Sequence, residues 1–157
     1  MTGWRIGAII VSLALVLAYA GLSGAWVATG SSWYLSLARP PWQPPDPVFG
    51  LAWAYNFTAL AVVGIALSLR LSPAPLVTYL VLFGVSVIAA CAWAWLFYVQ
   101  RDLTWSAVAL TCAALLTVGL VVVAFREAAW TGIVLLPYQV WLVIATSLSW
   151  GYRALNP

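Results

Sequence analysis

Trp33-Tyr34-Leu35-Ser36-Leu37-Ala38-Arg39-Pro40-Pro41-Trp42-Gln43-Pro44-Pro45-Asp46-Pro47-Val48-Phe49-Gly50-Leu51-Ala52-Trp53 is the only long polar interruption of a chain otherwise fit for a bilayer. It carries five prolines and three tryptophans. Proline fixes φ and removes a backbone donor, so Pro40-Pro41 and Pro44-Pro45 bar both helix continuation and regular strand pairing. A stiff, folded connector is predicted. Rings bury much area at little rotamer cost, so a rigid aromatic loop over a helix bundle suits the lid of a pocket for a flat, apolar ligand.

Working outward, composition sets the class. Hydrophobic residues make up 66% of the 157, charged residues 6%, and the mean hydropathy is +1.06. A water-facing surface cannot be covered with so few charges, and the chain is read as an integral, multi-pass membrane protein of a bacterial cell membrane. The net charge of +3 comes from arginines scattered singly along the chain, which fits anchoring at a bilayer and excludes a nucleic-acid surface. There is no histidine and no lysine, so imidazole metal ligation, a histidine base, a Schiff-base lysine and a Walker lysine are all excluded. No metal site and no obligatory cofactor are expected. Cys91 and Cys112 sit in apolar runs without a CxxC partner and read as small core hydrophobes.

Hydrophobic continuity predicts an all-α membrane protein: a single domain over 1–157, a bundle of five transmembrane helices with a long structured loop between the first two. The spans run over about 6–28, 47–69, 76–98, 104–124 and 129–150. Ser72-Pro73-Ala74-Pro75, Arg101-Asp102 and Arg126-Glu127 mark short turns, which predict that spans two to five run up and down beside one another. The first span's apolar region, about 23 residues, exceeds a cleavable signal segment, so it is kept as a span. Ala20-xxx-Gly24 and Gly21-xxx-Ala25 on it allow a close helix crossing. Arginines split three to three between the two sides, so the positive-inside rule sets no orientation.

Five antiparallel spans place the long loop, the starts of spans two and four and the ends of spans three and five on one side. Trp33 and Trp42 lie on that loop, and Trp53, Trp93 and Trp141 lie roughly 8 to 14 Å below that surface at 1.5 Å per residue. They form one layer. An aromatic belt explains Trp4, Trp26, Trp105, Trp130 and Trp150, all near span ends, but the deeper rings fit cavity walls better. Trp53 pairs with Phe57 at i+4, and Trp141 with Ala145, whose small side chain leaves space.

Pro137 removes one backbone hydrogen bond and frees the carbonyl of Ile133, which predicts a kink in span five. Asn56, Tyr138, Gln139, Ser147 and Ser149 either orient a ligand or bond between helices, and with no ionisable residue at mid-depth helix bonding is favoured. Asn56-Phe57-Thr58 matches a glycosylation sequon, but a site within hydrocarbon cannot be modified.

Trp33-Tyr34-x-x-Leu37-x-Arg39-Pro40-x-Trp42-x-Pro44-Pro45-x-x-Val48-Phe49-x-x-x-Trp53, followed by Pro137-Tyr138-x-x-Trp141, resembles the TspO family of tryptophan-rich sensory proteins and translocator (peripheral benzodiazepine receptor) proteins. The resemblance covers essentially the whole chain. It implies a five-helix bundle, usually a homodimer, that binds protoporphyrin and related tetrapyrroles, sterols and benzodiazepine-site drugs under the first loop. By position it implies a ligand site at Tyr34, Pro44, Pro45, Trp53, Phe57, Trp141 and Ala145, to which the layer adds Trp93. It further implies light-dependent porphyrin breakdown through Trp53 and Trp141, because an indole can donate an electron to an excited porphyrin without a metal or an acid/base residue.

Two departures stand out. Many relatives carry Asn and Trp in the middle of span three, where this chain reads Ala89-Ala90-Cys91-Ala92-Trp93, and end span five with Leu-Asn, where it reads Leu148-Ser149. The cholesterol-type pattern is also incomplete, since Tyr152 and Arg153 are adjacent. Three functions follow in order: a tetrapyrrole-binding sensor or regulator, a photodegrader of porphyrin, and a transporter of porphyrin or sterol. Transport ranks last because no inverted repeat or mid-membrane charge is evident.

Overall fold

The computed structural model describes residues 3–157, apart from the Ser31 side chain. It contains α1 (Gly3–Thr29), α2 (Ser31–Ser36), α3 (Asp46–Arg70), α4 (Pro73–Trp95), α5 (Leu103–Glu127) and α6 (Ala129–Leu155). A π-helical turn, Leu96–Gln100, extends α4. α1, α3, α4 with its extension, α5 and α6 are each long and apolar enough to cross a membrane. All five spans are thus present, and their helices run past the predicted limits at most ends. The hydrocarbon pattern marks only the apolar middle, whereas the ends are set by local chemistry. Pro47 and Pro73 lie in the first turns of α3 and α4, where a missing N–H costs nothing. Asp102 caps α5, accepting from the backbone N–H groups of Thr104 and Trp105 at 3.1 and 2.9 Å.

The neighbour order departs from the up-and-down prediction. α4 packs on α5 and α5 on α6, but α3 packs on α1 and α6, and α1 packs on α4. α1 therefore stands between α3 and α4, although only Leu71 and Ser72 join those two. A thin crossing permits it. A Cβ built on Gly64 of α3 would lie 3.0 Å from Ser12 Cβ of α1 and 3.7 Å from the Tyr79 hydroxyl of α4, so the three helices converge at one point. The close crossing predicted at Ala20-xxx-Gly24 and Gly21-xxx-Ala25 is not made within the bundle. Added Cβ atoms at Gly21 and Gly24 would meet nothing within 4 Å.

Tyr19, Tyr79, Tyr138, Phe83, Leu60 and Leu142 fill the centre. Several polar atoms there have no hydrogen-bonding partner, among them Ser12 Oγ, Asn56 Nδ2 and Tyr79 Oη. A buried hydroxyl without a partner costs about 1–3 kcal/mol. Tyr79→Phe removes one without opening a void, so the expected result is a gain of about 1 kcal/mol in stability, read as a raised unfolding temperature in detergent micelles; a fall would show that the hydroxyl is bonded. The favoured use of the other polar groups is seen. Gln139 Nε2 donates to the Ala114 carbonyl at 3.1 Å, tying α6 to α5. α6 runs unbroken through Pro137, and the Tyr55 hydroxyl reaches the carbonyl of Val134 at 3.0 Å, one residue on from the carbonyl predicted to be freed.

Candidate ligand-binding cavity

The proline-rich connector forms a cap over one end of the bundle. Its first part is helical, because Ser31–Ser36 precede the prolines, and Pro40 onward is extended or turned as proline dictates. Side chains of α6 and of Asn156, which follows it, hold it down. Asn156 accepts from the Ala38 N–H at 2.9 Å and donates back to the Ala38 carbonyl at 3.0 Å. Trp42 Nε1 donates to Ser147 Oγ at 3.3 Å. Tyr152, Gln43 and Tyr34 close a triangle: the Tyr152 hydroxyl donates to Gln43 Oε1, Gln43 Nε2 donates to the Tyr34 hydroxyl at 3.0 Å, and the two hydroxyls are 3.0 Å apart. Only a glycine fits beneath. A Cβ on Gly151 would stand 2.8 Å from both Pro40 Cγ and Trp42 Cζ2.

Under this cap lies a cavity of about 290 Å³. Trp53, Phe57, Trp93, Trp141, Ala145 and Tyr34 all line it, so the structure brings together six of the eight residues singled out in the sequence. Trp53 stacks on Phe57 with centroids 5.5 Å apart and meets Trp141 edge-on at 6.4 Å. Tyr19 forms the floor of this group, its ring edge-on to Trp53 at 5.7 Å and to Phe57 at 5.3 Å. Trp93 is oriented by a bond from Nε1 to Ser149 Oγ at 3.1 Å. Pro44 and Pro45 are placed differently: they lie in the cap but do not line the cavity. The Pro45 backbone caps α3, so these prolines set the angle at which α3 starts and leave the wall to Tyr34 and Phe49.

Sequence reasoning missed several wall residues. Phe49 is one turn before Trp53, and Tyr152 is one heptad after Ala145, so both were findable from helical spacing. Phe97 follows Trp93 at i+4 and was findable in the same way, whereas Tyr98 was not, because the π-helical turn that carries it alters the 3.6-residue facing. From α1 come Ala20, Ser23, Gly24 and Val27. Among the described residues the lining holds no Asp, Glu, Lys or Arg, so the cavity offers rings, aliphatic surface and a few hydroxyls. A second, more open hollow at the opposite end, lined by Leu71, Thr78, Arg126 and Glu127 among others, contains no aromatic residue.

Of the five tryptophans given to the belt, four are placed as expected and Trp26 is not. Trp4, Trp105, Trp130 and Trp150 are exposed near helix ends, whereas Trp26 is partly buried against the core.

The TspO/MBR family model matches residues 10–155. The chain belongs to the TspO/MBR family. It is 30% identical to protein CrtK of Rhodobacter capsulatus, over 89% of this chain and 88% of the relative. It is also 30% identical to a tryptophan-rich sensory protein of Cereibacter sphaeroides, over 91% and 92% of the two chains. Similarity extends to the translocator protein of Bos taurus, 29% identical over 89% of this chain and 85% of the relative. As a TspO/MBR family member with five membrane-spanning helices, it is a multi-pass integral membrane protein.

Proposed function

We propose that this TspO/MBR protein is a membrane receptor that binds a tetrapyrrole such as protoporphyrin IX, or a smaller benzodiazepine-site ligand, beneath the cap, and thereby regulates porphyrin handling or a stress response. One observation carries the reading: Trp53 and Phe57 of α3, Trp93 of α4 and Trp141 of α6 present their rings to a single apolar hollow within the membrane-spanning part of the bundle. Such walls favour a flat, greasy molecule and offer no charge to hold an ion. The homodimer belongs to the same reading, with Gly21 and Ala25 exposed on α1 as a surface for close packing.

The test is titration of the detergent-solubilised protein with protoporphyrin IX while following tryptophan fluorescence. Binding at micromolar levels is expected, weakened about tenfold, or ~1.4 kcal/mol, by Trp53→Ala. Absence of saturable quenching would remove the reading. A second function is favoured by the 6.4 Å contact between Trp53 and Trp141, which offers a pair of indoles to one excited macrocycle. It predicts light-dependent loss of the bound porphyrin's absorbance, abolished in Trp53→Phe while binding survives.

A further inference from the structure

We infer that the ligand reaches the cavity sideways from the bilayer, through a slot between α1 and α3 left open by the small side chains of Ala20 and Gly24, and not from water through the cap. This rests on reading the cavity as a site for an apolar molecule. The walls are unequally buried. On the α6 side Trp141, Ala145, Leu148, Ser149 and Tyr152 are 2–8% exposed, whereas on the α1 side Gly24 is exposed and Val27 is 39% exposed.

The slot can be placed by elimination. On one flank α1 packs on α4 and its π-helical extension, and just past the end of α1 a Cβ on Gly30 would stand 2.7 Å from Tyr98 Cβ. On the other flank α1 meets α3 through Tyr19, against Trp53 and Phe57, and lower down through Ser12, against Gly64. Above Tyr19 the same face of α1 continues as Ser23 and Val27, which line the cavity beside Ala20 and Gly24. A Cβ on Gly24 would meet nothing within 4 Å, so the wall is open at that residue.

Gly24 and Ala20 lie roughly 8 and 14 Å below the end of α1, at the depth of acyl chains. The water side is shut by the paired bonds of Asn156 to Ala38, the Tyr152–Gln43–Tyr34 triangle and the fit of Gly151 to Pro40 and Trp42. An apolar ligand gains about 0.8 kcal/mol per buried CH₂ on leaving water for lipid, so its concentration is highest where the slot opens.

The route is tested by stopped-flow tryptophan quenching with protoporphyrin IX delivered in phosphatidylcholine vesicles to protein in the same lipid. Gly24→Trp, which adds a ring at that edge, is expected to lower both association and dissociation rates at least about tenfold, whereas Leu22→Trp, exposed on the far side of α1 and outside the cavity wall, leaves them unchanged. Asn156→Ala, which loosens the cap without touching the cavity, is expected to leave both rates unchanged. Faster association in Asn156→Ala, or an effect of Gly24→Trp confined to faster dissociation, would overturn the route and leave the binding site standing. Lack of equilibrium binding by the parent protein would overturn the site, and the route with it. Circular dichroism confirms that each variant is folded.

Discussion

Trp141→Ala is expected to weaken protoporphyrin binding at least about tenfold, ~1.4 kcal/mol, and also to destabilise the fold by about 3–5 kcal/mol. Trp141 is 6% exposed and packs edge-on against Phe49 at 5.3 Å and Trp53 at 6.4 Å, so truncation removes the contact that joins α6 to α3 in the cavity wall. Its Nε1 is buried without an acceptor. Trp141→Phe therefore sacrifices ring area and no hydrogen bond, and it is expected to keep most of the stability and much of the affinity. Thermal unfolding and fluorescence titration of the two variants, side by side, separate wall from fold. Unchanged affinity in Trp141→Ala would move the site elsewhere.

The second large effect is expected from Gly151→Val. The added methyls occupy the space of Pro40 and Trp42, so the cap must lift, and lifting it breaks the bonds of Asn156 to Ala38 and of Tyr152 to its partners in the cap. At about 0.5–1.5 kcal/mol per bond the loss of four bonds is about 2–6 kcal/mol, and Tyr34 leaves the cavity wall with the cap. Helix content should be unchanged, cleavage by added protease between residues 37 and 45 should become fast, and affinity should fall through faster dissociation. A protease-resistant variant with normal affinity would show that the cap does not rest on Gly151.

How far the sequence went can be judged from particular elements. The spans were legible because a run of some 20 apolar residues has few other uses. The layer of Trp53, Trp93 and Trp141 was legible because alternation of direction puts known helix ends on one side. That Tyr34 and Ala145 share a cavity with them followed from the loop pattern and the i+4 spacing. Pro44 and Pro45 lie outside the cavity lining, since proline's backbone effect was legible in the sequence and its position relative to the hollow was not.

Order around the bundle was not legible. All five spans are apolar on every side, so no polar stripe tells which face a helix turns inward. Short turns suggested that α3 and α4 are neighbours, yet the meeting of Ser12, Gly64 and Tyr79 lets α1 stand between them. The π-helical turn behind Phe97 and Tyr98 was hidden for a related reason, because its register depends on what the last turn of α4 packs against.

Class, span count, sidedness of the tryptophans and stiffness of the cap were determined by the sequence alone, since each depends on local chemistry: hydropathy, chain direction and proline's fixed φ. Helix order, the open edge beside Gly24 and the meeting of Trp53 with Trp141 were decided only by the tertiary structure. These depend on the rotation of each helix about its axis, which uniformly apolar faces leave free until every neighbour is in place.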